Sequence, residues 1–545
     1  MKLSTLLSQT KVLNVGPTDA DGKAAPAGGD FLSGRDPEVN SIHYRSDEVR
    51  PGGLFVAVSG FSVDGHDFID EAIENGAAVI LTEKPLQKKA MVVQVENTRK
   101  SLAEISSRFY GNPSEKMTVI GITGTNGKTT TAYLVESMLN SSGHACGVIG
   151  TINTRYGGKT FDNPVTTPES LDLQRTMAEM VAGGVTHLVL EVSSHAIDLF
   201  RVAHCSFDVG VFTNLTQDHL DYHGDMESYW ACKKKFFFEH LTSGARNGRA
   251  AAVVNCDNPR GKELSVTLKV PVITFGRHPD CALHPYHIQS DFSGIAGMIS
   301  SPRGDFPFKS RLSGNHNLEN ILAAAGVGVH LGLPLEAIRD GIQNLTHVPG
   351  RLERIPNQLG RNLYVDYAHT PDALENVLNS ISKLTTGRLI CIFGCGGDRD
   401  RKKRPQMGEI AARHCDLVIV TSDNPRTENP GNIIAQILEG ITGTDMKLYR
   451  PEDLKGGFKY KGYVIEEDRR KAIELGIFSS AWGDTLLIAG KGHETYQIVG
   501  RQTLEFDDRI EAQKALCRLE SDFLNPARAK TQKADGGLYD RLTEQ

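Results

Sequence analysis

A chain of 545 residues is too long for one hydrophobic core, and roughly 150 residues per domain gives three or four, with three the working number. The 60 Lys and Arg against 66 Asp and Glu leave a formal charge of −6, which argues against a nucleic acid or an anionic membrane surface as partner. The first residues hold no apolar run of the length a secretory signal needs, no stretch has the apolar length of a membrane span, and the 9 cysteines are scattered without paired zinc spacing, so reduced thiols in a cytoplasmic protein are expected.

In chain order, residues 17–34 are rich in Gly, Ala, Asp and Pro and read as an exposed loop. A strand is expected at 53–58, a helix at 67–76 ending on Gly76, a strand at 77–81 and a helix at 99–110 before the turn Gly111-Asn112-Pro113. These form a small α/β unit over 1–113. Short apolar strands at 119–123, 187–192 and 208–212 then alternate with helical stretches, which predicts a mostly parallel sheet in a second unit over 114–347. The pattern pauses at 341–350. Further strands at 363–366, 389–394, 417–421 and 485–490 predict a Rossmann-like, doubly wound third unit over 348–545, with a polar tail from about residue 525.

The most informative stretch is 119–131, where a β-branched strand runs into Gly124-Thr125-Asn126-Gly127-Lys128-Thr129-Thr130. Gly124 and Gly127 let backbone N–H groups face an anion, Lys128 brings charge to the β- and γ-phosphates, and the Thr129 hydroxyl can ligate Mg²⁺ at a helix start. The spacing departs from the strict Walker A pattern, because Ile122 stands where the first glycine belongs and Gly121 falls one residue early.

Polar residues just past strand ends form a second layer, since ligands of open α/β sheets gather there. Glu191 is one, a carboxylate suited to Mg²⁺ or to a loop role. His219 and His223 stand one helical turn apart without a third zinc ligand, and hydrogen-bonded loop histidines explain them as well. Lys233-Lys234-Lys235 lies between Trp230 and Phe236-Phe237-Phe238. Its ordinary reading is a solvated charge run, yet aromatic surroundings can desolvate a lysine enough for its neutral amine to add CO₂.

The ordered set Gly124 to Thr130, Glu191-Val192-Ser193-Ser194-His195, Thr213-Asn214, Asp218 to Gly224, Asn317 to Asn320, Pro349-Gly350-Arg351 and Asp366-Tyr367-Ala368-His369-Thr370-Pro371 resembles the successive motifs of the Mur ligases. The resemblance spans nearly the whole chain. It implies three domains and an ATP-dependent amide synthesis in peptidoglycan precursor assembly, acting on small molecules and as a monomer. By resemblance, Gly124, Thr125, Asn126, Gly127, Lys128, Thr129, Thr130, Asn320, Arg351 and Asp366 hold ATP. Thr129, Glu191 and His219 attend Mg²⁺, and Lys233 falls on the family's carbamylated lysine, with Lys128, Lys233 and His219 as the catalytic set.

The resemblance further implies that Ser46, Thr166, Thr167, Ser193 and Arg201 grip a UDP-muramoyl dipeptide. The chain departs from the family here, reading Arg45-Ser46-Asp47 where Asp-Ser-Arg is usual. Asp423-Asn424-Pro425-Arg426 resembles the signature for meso-diaminopimelate, with Arg399, Gly490 and Glu494 as accompanying contacts. Arg426 offers a planar fork to the distal carboxylate that L-lysine lacks. L-Lysine as the amine, a folylpolyglutamate synthetase and a nucleotide-driven switch are the competing readings.

Overall fold

The computed structural model describes residues 1–16, 36–61, 63–86, 88, 90–242, 248 and 250–524. The loop expected at 17–34 and the tail expected from 525 lie outside the described residues. Three α/β units follow one another, each built on its own sheet.

In the first unit five strands run in the order Val12–Gly16, Met91–Val95, Ala77–Thr82, Gly53–Val56, Ile42–His43. All neighbours are parallel except the edge strand Val12–Gly16. The helix expected at 67–76 is a 3₁₀ turn, Gly65–Phe68, followed by Ile69–Glu74. Helix Thr98–Phe109 starts on an Asn97 cap that accepts from Lys100 N at 2.8 Å.

The central sheet has eight strands in the order Val272–Phe275, Ala251–Asn255, Val209–Phe212, Thr118–Thr123, His187–Glu191, Cys146–Ile149, Asn153–Tyr156, Lys159–Asp162. The first six are parallel, with the inner strands buried on both faces, and the last two add an antiparallel ribbon. Register decides function here: Ile122 pairs with Glu191 and Thr123 with Phe212, so three adjacent strands end level with one another. The phosphate loop, Glu191 and Thr213-Asn214 therefore emerge side by side. An antiparallel sheet of His284–Asp291, Gly294–Ser300 and Phe306–Ser310 was not foreseen.

The third unit orders its strands Glu353–Ile355, Asn362–Asp366, Thr485–Ala489, Leu389–Phe393, Leu417–Val420, Gly462–Ile465, Lys447–Tyr449, parallel apart from the first. Asp366 pairs with Ala489, which brings Tyr367 and Gly490 to one edge. A hairpin, Tyr496–Val499 with Gln502–Glu505, follows.

Candidate active site

Gly121, the off-register glycine, belongs to the strand and not to the cradle. A Cβ there would lie 2.6 Å from Phe236 Cζ and 2.7 Å from Phe207 Cε1, so only glycine lets these rings close over the sheet. Phe236 sits at the point where helix Met226–Lys235 passes into a π-helical turn, Phe236–Leu241. The cradle proper turns at Gly127, whose φ of 87° favours glycine. Gly127 caps helix Lys128–Ser141 without a side chain, leaving its first N–H groups directed outward for an anion. The neighbouring strand end clamps the loop: Asn126 N donates to Asn214 Oδ1 at 2.8 Å and Thr213 Oγ1 to Asn126 O at 2.6 Å.

Around this loop the expected groups converge. Thr129 Oγ1 donates to Glu191 Oε2 at 3.0 Å, and Thr151, which the sequence did not single out, donates to the same carboxylate through both its hydroxyl and its N–H. Lys128 Nζ donates to Gly124 O at 2.9 Å and Thr125 O at 2.8 Å. Lys233, 1% exposed, donates to Gly124 O at 3.0 Å and lies 4.7 Å from the Tyr229 ring centre. Burial and the charge of Lys128 push the Lys233 amine well below its ordinary value. Burial likewise lowers His219, whose Nε2 is 3.2 Å from Asp218 Oδ2. Among the described residues no group of three or more His, Cys, Asp or Glu is arranged to hold a metal. The hydroxyl of Thr129 beside the Glu191 carboxylate is a hard-oxygen pair that fits Mg²⁺ completed by phosphate.

The third unit closes a cavity over the glycine loop, of about 220 Å³. Arg351 Nη2 donates to Thr129 Oγ1 at 3.2 Å, with its guanidinium 4.5 Å from the Tyr367 ring centre. Asp366 lines the cavity with both oxygens occupied, accepting from Leu352 N at 2.6 Å and Ala368 N at 2.7 Å. Asn320 approaches Gly127, and Asn126 Nδ2 donates to Asp372 Oδ2 across the cleft at 2.8 Å.

A second cavity, of about 300 Å³, is lined by Arg399, Asp423, Asn424, Arg426, Gly490 and Glu494, all expected together. Arg426 has a φ of 51°, and its Nη1 donates to Gly397 O at 2.8 Å rather than to a carboxylate. The hairpin holds it in that conformation: Arg426 N donates to Ile498 O, and Gly500 N to Arg426 O at 2.7 Å. Asp218, His219, Tyr367 and His369 line both cavities and form their common wall. Burial pushes His369 down to about 4, and its Nδ1 lies 2.8 Å from Tyr367 O.

Three family models match successive parts of the chain: a Mur ligase family catalytic domain over 38–110, a Mur ligase middle domain over 122–328 and a Mur ligase glutamate ligase domain over 350–492. The chain belongs to the Mur ligase family. It is 49% identical over 486 residues to the UDP-N-acetylmuramoyl-L-alanyl-D-glutamate--2,6-diaminopimelate ligase of Geobacter metallireducens, covering 89% of this chain and 95% of that one. The Bacillus cereus protein of the same name is 42% identical, with 88% and 94% covered. A solved structure of a ligase so named superposes with a TM-score of 0.62 at 30% identity, over 88% of this chain and 95% of that one. MurF ligase from Thermotoga maritima, in complex with ADP, shares the fold with a TM-score of 0.59 at 21% identity, over 88% and 98%.

In this Mur ligase the residues expected to grip the sugar dipeptide fall into one cluster and one outlier. Thr167 Oγ1 donates to Glu191 O at 2.8 Å and stands 3.3 Å from Ser193 Oγ, Thr166 Oγ1 lies 3.1 Å from Thr151 Oγ1, and Arg201 Nη1 donates to Thr167 O at 3.1 Å. Glu191 thus backs both this cluster and the phosphate loop. Ser46 lies in the first unit, where its hydroxyl donates to Glu71 Oε2 at 2.7 Å. The exchanged charges beside it pair with each other, Arg45 Nη2 to Asp47 Oδ2 at 2.8 Å. Arg99 joins the first two units, donating to Glu169 Oε2 at 2.7 Å.

Proposed function

We propose that this Mur ligase adds meso-2,6-diaminopimelate to the D-glutamate of UDP-N-acetylmuramoyl-L-alanyl-D-glutamate with ATP as co-substrate, as a monomeric cytoplasmic enzyme. One observation carries the reading: the phosphate cavity and the carboxylate- and guanidinium-lined cavity share the wall Asp218, His219, Tyr367 and His369. A group activated on one side is met by an amine from the other. No described helix is long and apolar enough to cross a membrane.

A carboxylate and an ammonium do not condense at neutral pH, because oxide is the leaving group. The D-glutamate side-chain oxygen attacks the γ-phosphorus, ADP leaves, and an acyl phosphate forms. The deprotonated amine then attacks that carbonyl and phosphate departs with the C–O electron pair. The open N–H groups at the start of helix Lys128–Ser141, Lys128 and Arg351 face the charge that develops on phosphate. Thr129, Glu191, His219 and a carbamate on Lys233 would hold Mg²⁺, which when bound draws charge from the phosphate oxygens. The low amine affinity of Lys233 for protons supports the carbamate, since only the neutral amine adds CO₂. Arg426, in the amino-acid cavity and free of a carboxylate partner at its Nη1, supports selection of a ligand with a distal carboxylate.

The test offers meso-diaminopimelate and L-lysine side by side to the enzyme with ATP and the UDP-sugar dipeptide. Phosphate release that requires all three substrates, with meso-diaminopimelate preferred, is expected. Preference for L-lysine, or release without an amino acid, sinks the assignment.

A further inference from the structure

Lys491 sits in the turn after strand Thr485–Ala489 and is 0% exposed. Its Nζ donates to Glu494 Oε2 at 2.9 Å and to Asn424 Oδ1 at 3.1 Å. Asn424 Nδ2 donates to the same Glu494 oxygen at 2.8 Å, and Asn424 Oδ1 also accepts from Ile498 N at 2.9 Å. Both bonds to Glu494 thus fall on Oε2, while the residue lines the amino-acid cavity together with Asp423.

Charge explains why a lysine is buried there. Asp423 is 5% exposed, and it and Glu494 both line the cavity. Burial and Asp423 raise the proton affinity of Glu494, and Lys491 opposes both. The other charged and titratable groups facing Glu494 are Tyr367 after strand Asn362–Asp366, Arg469 at the start of helix Arg469–Ser479 and Tyr496 on the hairpin. Arg469 is spent on Asp508 at 2.7 Å, and Arg426 faces Tyr496 from the specificity loop. Lys491 is therefore the cation that hydrogen-bonds Glu494 directly.

We propose that Lys491 is a positioning residue for the incoming amino acid: it fixes one oxygen of Glu494 and favours the ionised form of that carboxyl, which receives a substrate ammonium. The inference rests on the functional reading above and deepens it at the same site.

The test measures KM and kcat for meso-diaminopimelate between pH 6.5 and 9.5 for the wild type, Lys491→Met and Lys491→Arg. Lys491→Met should raise KM by about 10-fold or more near pH 7, the loss of one buried charged hydrogen bond, with kcat changed less than about 3-fold and the KM for ATP unaltered. The KM ratio to wild type should shrink as pH rises, because Glu494 then ionises without help. Lys491→Arg should recover most of the affinity. A ratio flat in pH, or kcat falling in place of KM, overturns the proposal. Should Lys491→Met fail to fold, Lys491→Gln carries the test with the same readouts: a KM ratio that is raised near pH 7 and shrinks with pH supports the proposal, and an unchanged KM or a flat ratio overturns it. A wild type that does not couple meso-diaminopimelate overturns the functional reading and this inference together, whereas a coupling wild type with a flat ratio overturns the inference alone.

Discussion

Lys128 and Lys233 donate to the same acceptor, the carbonyl oxygen of Gly124, at 2.9 and 3.0 Å. Two ammonium groups on one buried oxygen repel each other, and the repulsion acts with burial to favour a neutral Lys233. Lys233→Ala should abolish ligation and ATP-dependent phosphate release. Lys234→Ala, which removes only a partly exposed pair with Glu263, should keep activity within about 2-fold, as expected for such a salt bridge. Carbon-13 NMR with labelled bicarbonate should show a carbamate resonance in the wild type that Lys233→Ala lacks; its absence from active wild-type enzyme rules the carbamate out.

In the proposed function Arg426 is the guanidinium that selects a distal carboxylate. Arg426→Ala should raise the KM for meso-diaminopimelate by roughly 10-fold or more, the order expected for a lost charged hydrogen bond of about 2 kcal/mol. Steady-state kinetics with the other two substrates saturating would decide it, and an unchanged KM removes Arg426 from the specificity site.

Glu428 ties the specificity loop to the basic helix before it. Its Oε1 accepts from Arg404 Nη2 at 2.9 Å and from Asp398 N at 2.6 Å, and the Arg404 bond, foremost, holds its carboxyl at about 2. A carboxylate with its folded value below its unfolded one stabilises at pH above about 4.5, and that contribution fades as pH falls toward 2. Glu428→Gln should lower Tm at pH 7, with the gap to wild type closing through that acid range. A gap constant from pH 7 to 3 would refute the linkage.

Gly121→Ala would place a methyl 2.6 Å from Phe236 and 2.7 Å from Phe207. Overpacking of this kind costs about 1–3 kcal/mol. Denaturant unfolding should show the loss, while ATP affinity in the folded protein stays as it was. Weaker ATP binding without a stability change would return this glycine to the cradle.

Much of this was legible in the residues because each cradle group follows a strand whose apolar run announces it. Glu191, Thr213 and the loop at 124–130 needed only a parallel sheet to meet, and the level register supplied one. The antiparallel strands at 284–310 and the hairpin at 496–505 were not, since exposed positions dilute their apolar signal. Thr151 escaped for another reason. It belongs to no pattern of spacing and acquires its role only when folding sets it against Glu191, whereas Lys491 stands in the motif Gly490-Lys491-Gly492-His493-Glu494 and only its bond to Glu494 needed the fold. Ser46 shows the converse, a recognisable position whose hydroxyl proton is already given to Glu71.

The bond from Asn126 to Asp372 joins the glycine loop of the central unit to the first turn of a helix in the third unit. Any separation of the two units breaks it, and a turnover rate set by such a motion responds to solvent drag where bond making does not. Thickening the medium with a viscogen would slow the enzyme, even with every substrate at saturation.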